Sequence, residues 1–124
     1  MSLVPEDLKY TKDHEWAKIE AGIATIGVTD HAQRELGDIV FVELPKVGAS
    51  VEAGKSFGTV EAVKTVAELY APITGVVSEV NAALAADAGV INQDPYGAGW
   101  IIKVKIGSAP AKGLMDAAAY LALI

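Results

Sequence analysis

The sequence HEWAKIEAGIATIGV, residues 14–28, decides the fold class of this chain. Apolar and polar residues alternate over residues 14–20, Ala21-Gly22 supplies a tight connection, and residues 23–28 run back, which is the pattern of a β-hairpin. Outward from this hairpin, many short segments rich in Val and Ile follow at close spacing among 12 glycines and 5 prolines. The pattern predicts an all-β sandwich or barrel.

Two short helices are predicted to interrupt the strands. The first covers residues 29–37, directly after the hairpin, with Thr29 or Asp30 as its N-cap and Gly37 as its C-terminal stop. The second covers residues 115–124, where an acidic residue near the start suits the helix dipole. Elsewhere we predict strands at residues 38–44, 75–81 and 101–106, successive turns at residues 47–54, and a turn-rich loop at residues 92–100.

Length and charge limit the classes of function. The chain has 124 residues, which suits a single domain over residues 1–124. Its formal net charge of −6, with the lysines spread singly, argues against a nucleic-acid partner. No apolar run approaches the roughly 20 residues of a membrane span, and no signal peptide is evident. We therefore expect a soluble protein of the bacterial cytoplasm, or of the mitochondrial matrix if the chain is a mature eukaryotic one.

Few residues suggest a catalytic or metal site. The chain has no Cys, which excludes disulfides, thiolate catalysis and Cys-ligated metals. His14 and His31 lack nearby acids in a ligand pattern such as His-Glu-x-x-His, so we predict no metal site and place His31 in the first turn of the first helix. A nucleophile with a base and an orienting acid is not recognisable, which disfavours a stand-alone enzyme.

Lys64 carries the functional prediction. It lies within GTVEAVKTVAELYAPITG, residues 58–75, between two segments that alternate like strands. A lysine at a hairpin tip presents its amine to solvent on a four-carbon stem, where an enzyme can acylate it. Residues 62–65 contain none of the Asn, Gly or Pro that favour tight hairpin turns, however. Spacing alone therefore leaves Lys64 as one of nine lysines that are ordinarily solvated.

Five separated segments resemble the H-protein family of the glycine cleavage system, in the same order. EAVK at residues 61–64 with YAPITG at residues 70–75 resembles the family's lipoyl-attachment segment. The other matching segments are YTKDHEW at residues 10–16, GVTDHAQ at 27–33, GDIVFVELP at 37–45 and NQDPYGAGW at 92–100. Biotin carrier domains are expected to have Met on both sides of the lysine, and lipoyl domains of 2-oxo acid dehydrogenases are shorter and usually carry Asp-Lys-Ala.

The resemblance implies a fold and a carrier function. The fold is a flattened β-barrel or sandwich of two antiparallel sheets, the hybrid motif of the biotinyl/lipoyl-domain superfamily. Lys64, flanked by Glu61 and Val63, would carry lipoate in amide linkage, and the lipoyl disulfide rather than any residue of the chain would react. A lipoate ligase or lipoyltransferase would attach it.

The resemblance also implies three enzyme partners. A pyridoxal-phosphate glycine decarboxylase, the P protein, would release CO2 and deliver the aminomethyl group to one lipoyl sulfur. A tetrahydrofolate-dependent aminomethyltransferase, the T protein, would take the methylene carbon and release ammonia, and dihydrolipoyl dehydrogenase, the L protein, would reoxidise the dithiol. An alternative of another class stays open, in which the chain is a regulatory protein or a relay that passes lipoyl groups to other complexes.

A groove for the arm is implied near His14, Glu15 and the outgoing strand of the lysine hairpin. The aminomethyl intermediate is a nitrogen–sulfur acetal that water decomposes, so a carrier needs to hide it. Because the loaded arm ends in an ammonium group, Glu15 and Glu68 are the candidate carboxylate partners. The chain departs from the family's common residues close to the lysine, at Ala62, Thr65, Val66 and Glu68. These departures bear on how the arm folds back on the surface.

Overall fold

Residues 3–106 and 113–124, which the computed structural model describes, form two antiparallel β-sheets and four short helices. The strands are β1 (Lys9–Tyr10), β2 (Glu15–Glu20), β3 (Ile23–Val28), β4 (Ile39–Glu43), β5 (Ser50–Val51), β6 (Ser56–Ala62), β7 (Val66–Tyr70), β8 (Gly75–Val80) and β9 (Ile102–Lys105). The helices are α1 (Asp30–Leu36), α2 (Ala83–Ala86), α3 (Val90–Gln93) and α4 (Ala117–Leu123).

The two sheets share one hydrophobic core. The larger sheet has the strand order β1-β2-β3-β9-β8-β5, and the smaller has the order β4-β6-β7. Buried side chains of both sheets meet between them, among them Ile26, Val77 and Val104 from the larger sheet and Val60 and Leu69 from the smaller. The sheets are not closed into a barrel in this part of the chain, so the predicted sandwich is confirmed and the barrel is not.

The first hairpin forms in the predicted register. Trp16 pairs with Gly27 across β2 and β3, and the connection uses Ala21 at φ 50° and Gly22 at φ 78°. Two positive φ angles in a two-residue loop match the right-handed twist of the flanking strands. A β-carbon on Gly27 would lie 2.7 Å from three atoms of the Trp16 indole, so the indole occupies the space of the missing side chain.

Both predicted helices are confirmed, with shorter bounds. Thr29 is the N-cap of α1, where its Oγ1 accepts a hydrogen bond from the Ala32 amide at 3.2 Å. Gly37 ends the same helix at φ 79°, a conformation that residues with a β-carbon rarely adopt. At the C-terminus, Asp116 caps α4 by accepting from the Ala119 amide at 2.9 Å.

Three short elements differ from the prediction. The predicted loop at residues 92–100 begins inside α3, and α2 precedes it. Neither helix has a side-chain cap hydrogen bond, which removes the local signal that marks a helix start. The short strand β5 lies within residues 47–54, which were predicted to contain only turns.

Helix α4 covers the opposite face of the larger sheet. Trp16 points to this face while Ala17, its neighbour in β2, points into the main core. The Tyr10 and Tyr120 rings stack there with centroids 4.7 Å apart, and both side chains are fully buried. Packing thus ties the C-terminal helix to the first hairpin. Among the described residues, no helix is both long and apolar enough to cross a membrane.

Candidate functional site

Lys64 lies at the exposed tip of the hairpin formed by β6 and β7. The Ala62 amide donates to the Thr65 carbonyl at 2.7 Å, which closes the tip without Gly, Asn or Pro. The Val63 amide donates to the Asp38 carbonyl at 3.0 Å and holds the tip beside the start of β4. The tip is therefore fixed by backbone hydrogen bonds while the Lys64 side chain is exposed.

The stem of Lys64 passes over the end of α1. A β-carbon on Gly37 would lie 3.4 Å from Lys64 Cε and 3.8 Å from Nζ. Gly37 is itself held in place, because its carbonyl accepts a hydrogen bond from Asn92 Nδ2 at 2.8 Å. The Lys64 stem thus lies next to Gly37, at a distance that a β-carbon would turn into ordinary van der Waals contact.

A groove of about 160 Å³ lies between α1, the turn before β2 and the lysine hairpin. His14, Glu15 and Glu68, the three candidates for holding the arm, all line it. Its apolar lining consists of Val28, Ala32, Leu36, Val60, Ala67 and Leu69. The fold therefore gathers the candidate groove residues from segments more than 50 positions apart in the chain.

Glu15 is a buried acid in the wall of this groove, with 2% of its surface exposed. Thr11 Oγ1 donates to Glu15 Oε1 at 2.8 Å, and the Tyr70 amide donates to Oε2 at 3.2 Å. Both hydrogen bonds favour the carboxylate, but the loss of hydration on burial outweighs them and raises the pKa of Glu15 from 4.5 to about 8. Burial thus favours the protonated form of Glu15 near pH 7.

His14 stands next to Glu15 in a strained backbone conformation, with φ 69°. Its Nδ1 lies 2.8 Å from the Tyr120 hydroxyl, and its ring centroid lies 4.7 Å from that of His31. Burial, and then the nearby His31, lower the pKa of His14 from its usual value of 6.5. Within residues 3–106 and 113–124, no three His, Asp or Glu side chains are grouped so as to hold a metal ion.

The remaining two acids lie on the exposed face of the smaller sheet. Glu68 is on the edge strand β7, and its Oε2 accepts from the Tyr70 hydroxyl at 3.0 Å. Glu61 is on β6, where its cross-strand neighbours are Phe41 and Val66. Glu68 reaches the rim of the groove, whereas Glu61 is not among the groove's lining residues.

A protein-family model matches the part of the chain that contains Lys64. The model of the family described as "Glycine cleavage H-protein" matches residues 8–124. The chain belongs to the glycine cleavage H-protein family. This membership covers both strands of the lysine hairpin, helix α1 and helix α4, and therefore every wall of the groove.

The chain is also similar to individual H proteins, and to a solved structure of one, over most of its length. The chain is 56% identical to the glycine cleavage system H protein of Rubrobacter xylanophilus, over 89% of this chain and 87% of that protein. It is 54% identical to the H protein of Myxococcus xanthus, over 98% and 95%. The crystal structure of the H protein of Mycobacterium marinum is similar at a TM-score of 0.91 and 43% identity, over 96% of this chain and 97% of that one.

Three residues of the site were not anticipated from the sequence. Thr11 lies within the YTKDHEW segment, yet nothing in its spacing marks the hydroxyl as the partner of Glu15. Gly37 was expected to end a helix but not to accommodate the Lys64 stem. Tyr120 contacts His14 from 106 positions away, a separation at which no local pattern carries a signal.

Proposed function

We propose that this chain is the lipoyl-bearing carrier of the glycine cleavage system, with lipoate in amide linkage to Lys64. The observation that carries the proposal is the position of Lys64 at an exposed hairpin tip beside a groove, in a member of the H-protein family. An amine in this position is open to an acylating enzyme from the solvent side. The paired strands β6 and β7 hold it clear of the core.

The surroundings of Lys64 fit a lipoyl arm. When bound, the lipoyl group would supply a dithiolane that accepts an aminomethyl group together with two electrons. The Lys64 stem lies over Gly37, and Leu36, the residue before it, already lines the groove. An arm rooted at Lys64 therefore starts next to the groove, whose apolar lining suits an aliphatic chain and excludes water.

We assign Glu61 and Val63 to recognition by the enzyme that attaches lipoate, a lipoate ligase or lipoyltransferase. Both side chains are exposed and lie outside the groove lining, so they are poorly placed to hold the arm. Val63 adjoins Lys64 at the tip, and Glu61 projects from the outer face of β6. An enzyme that closes over the tip meets both of them before it reaches the amine.

Glu15 is the proposed partner of the ammonium end of the loaded arm, with Glu68 at the rim as a second carboxylate. Burial raises the pKa of Glu15 to about 8 and so favours its neutral form at pH 7. A cation within hydrogen-bond distance favours the ionised carboxyl group. Glu15 would therefore lose its proton next to an ammonium group, and its burial would shield the ion pair from water.

In this proposal the chain's own residues hold, orient and shield, and perform no catalysis. Its partners are the glycine decarboxylase, the aminomethyltransferase and dihydrolipoyl dehydrogenase, which act in turn on the same arm. The net charge of −6 favours docking on basic patches of these enzymes. We further propose that the protein works in a bacterial cytoplasm, in keeping with relatives such as that of Myxococcus xanthus.

The attachment proposal is tested by intact mass before and after incubation with lipoate, ATP and a lipoate ligase. The wild-type chain is expected to gain the mass of one lipoyl group, and Lys64→Ala to gain none. Lys55→Ala is the matched control, because Lys55 is also exposed and lies in a turn of the same sandwich. A lipoylated Lys64→Ala, or a wild-type chain that is never modified, would overturn the assignment.

A further inference from the structure

The C-terminal helix contacts the wall of the groove through hydroxyl groups. Tyr120 of α4 is fully buried, and its hydroxyl lies 2.8 Å from His14 Nδ1 and 2.8 Å from Thr29 Oγ1. Thr29 is also fully buried, and its Oγ1 already accepts a hydrogen bond from the Ala32 amide at 3.2 Å. A continuous chain of hydrogen bonds therefore runs from the N-cap of α1 through Tyr120 to a side chain that lines the groove.

The hydrogen bonds that link Thr29, Tyr120 and His14 have one favourable direction. Among the described residues, Thr29 Oγ1 has hydrogen-bond contacts with the Ala32 amide and the Tyr120 hydroxyl alone. The Ala32 amide is a donor, so the Thr29 hydroxyl proton is directed to Tyr120. Tyr120 in turn donates its own proton to His14 Nδ1, which must then carry none. The reverse direction leaves a buried hydroxyl proton without an acceptor.

We propose that Tyr120 positions His14 and fixes its tautomer, so that the neutral ring carries its proton on Nε2 and offers this N–H as a donor to the groove. Tyr120 thereby makes the C-terminal helix a positioning element of the groove. The cost of an unsatisfied buried hydroxyl favours this tautomer over the other by roughly 5- to 150-fold. Nε2 is the ring nitrogen left over for a ligand, because Nδ1 is occupied by Tyr120.

His14 adopts a left-handed backbone conformation, with φ 69°, which is uncommon for residues other than Gly. The groups that face His14 are His31 and Glu35 from α1, Asp13 and Glu15 from its own segment, and Tyr120 from α4. Burial, and then the nearby His31, lower the pKa of His14, which favours the neutral ring.

His14 and Glu15 together determine what kind of ligand the groove can bind. An N–H donor beside the carboxyl group of Glu15 suits a ligand that has a hydrogen-bond acceptor next to a cationic group. On the proposed function, which this step rests on, the acceptor is the sulfur that bears the aminomethyl group and the cation is the ammonium end of the arm. His14 then orients the arm, and Glu15 holds its charge.

The experiment is ¹⁵N NMR of the histidine rings in the unmodified full-length chain, because the two ring-nitrogen shifts report which nitrogen carries the proton. At pH values above the pKa of His14, we expect more than about 80% of the neutral rings to carry the proton on Nε2. This fraction corresponds to a roughly fivefold preference, the lower limit of the range. In Tyr120→Phe we expect the tautomer ratio to fall by about fivefold or more. The measurement needs no lipoyl group, so it is independent of whether Lys64 is acylated.

Tyr10→Phe is the matched control. Tyr10 stacks on Tyr120 and is equally buried, but its hydroxyl donates to the Pro5 carbonyl and not to His14. In Tyr10→Phe, the His14 ring should keep the wild-type tautomer ratio. An Nδ1–H tautomer in the wild type would overturn the proposal without any variant. An unchanged ratio in Tyr120→Phe, or an equal change in Tyr10→Phe, would also overturn it.

Discussion

Replacing Glu15 by Gln should change how the stability of this protein depends on pH. Glu15 is 2% exposed, and burial raises its pKa from 4.5 in the unfolded chain to about 8 in the folded one. The folded state therefore binds more protons than the unfolded state between these two values. The contribution of Glu15 to stability is fully present below pH 4.5 and is lost as the pH rises toward 8.

The size of the effect follows from the two pKa values. Each pH unit within the window costs the folded state up to about 1.4 kcal/mol, so the wild type loses roughly 3 kcal/mol from this group between pH 4.5 and about pH 7. A glutamine cannot titrate, yet its amide can still accept from the Tyr70 amide and donate to Thr11 Oγ1. We therefore expect Glu15→Gln to become more stable relative to wild type by that amount across the window.

The assay is urea denaturation of both proteins at about pH 5, 6, 7 and 8, with the free energy of unfolding extrapolated to water. Glu61→Gln is the control for the general effect of one fewer acidic residue, because Glu61 lies on the exposed face of the smaller sheet. Parallel pH profiles for Glu15→Gln and wild type would refute the reasoning. They would mean that Glu15 is ionised in the folded protein as it is in the unfolded chain.

Two further predictions concern the loaded arm and the first hairpin. Glu15→Gln should shorten the lifetime of the aminomethyl-loaded protein, measured by ammonia release, because a neutral amide cannot form an ion pair with the ammonium group. Glu20→Gln, an exposed change on the same strand, should leave the lifetime unchanged. An unchanged lifetime in Glu15→Gln would remove Glu15 from this role. Gly27→Ala should lower the free energy of unfolding by about 1 to 3 kcal/mol, since its β-carbon would lie 2.7 Å from the Trp16 ring. Gly27 is not at positive φ, so its loss is expected from overlap alone, whereas Gly48→Ala, at φ 94° with its β-carbon in open space, measures backbone strain without overlap. An unchanged stability of Gly27→Ala would contradict the overlap argument.

The fold was predictable from the sequence where its causes are local. The alternation over residues 14–28 and the Ala21-Gly22 connection gave the first hairpin, because side chains alternate faces along a strand and Gly tolerates positive φ. Thr29 and Gly37 gave the bounds of α1, because cap chemistry involves neighbouring residues. The short helices α2 and α3 were missed since no capping side chain marks them.

The site was predictable only in part. The prediction that Lys64 is an attachment site came from the resemblance of its segment to one family, and spacing alone left it as an ordinary lysine. Glu15 and Glu68 were expected to share a groove, and they line the same one. Glu61 lies on the same exposed face as Glu68 but does not line the groove, because the period of two along β6 turns Val60 and Ala62 inward and Glu61 outward.

The sequence by itself determined most of the strand pattern and the caps of two helices and, through the family resemblance, led to the prediction that Lys64 is an attachment site. Tertiary structure alone decided that two sheets stay open as a sandwich and that Tyr70, 55 positions away, donates its amide to Glu15. It also decided that Tyr120 contacts His14 from 106 positions away. The reason is physical: pairing and capping depend on neighbours in the chain. The pKa of Glu15 and the tautomer proposed for His14 depend on burial and on partners that only the packed fold brings together.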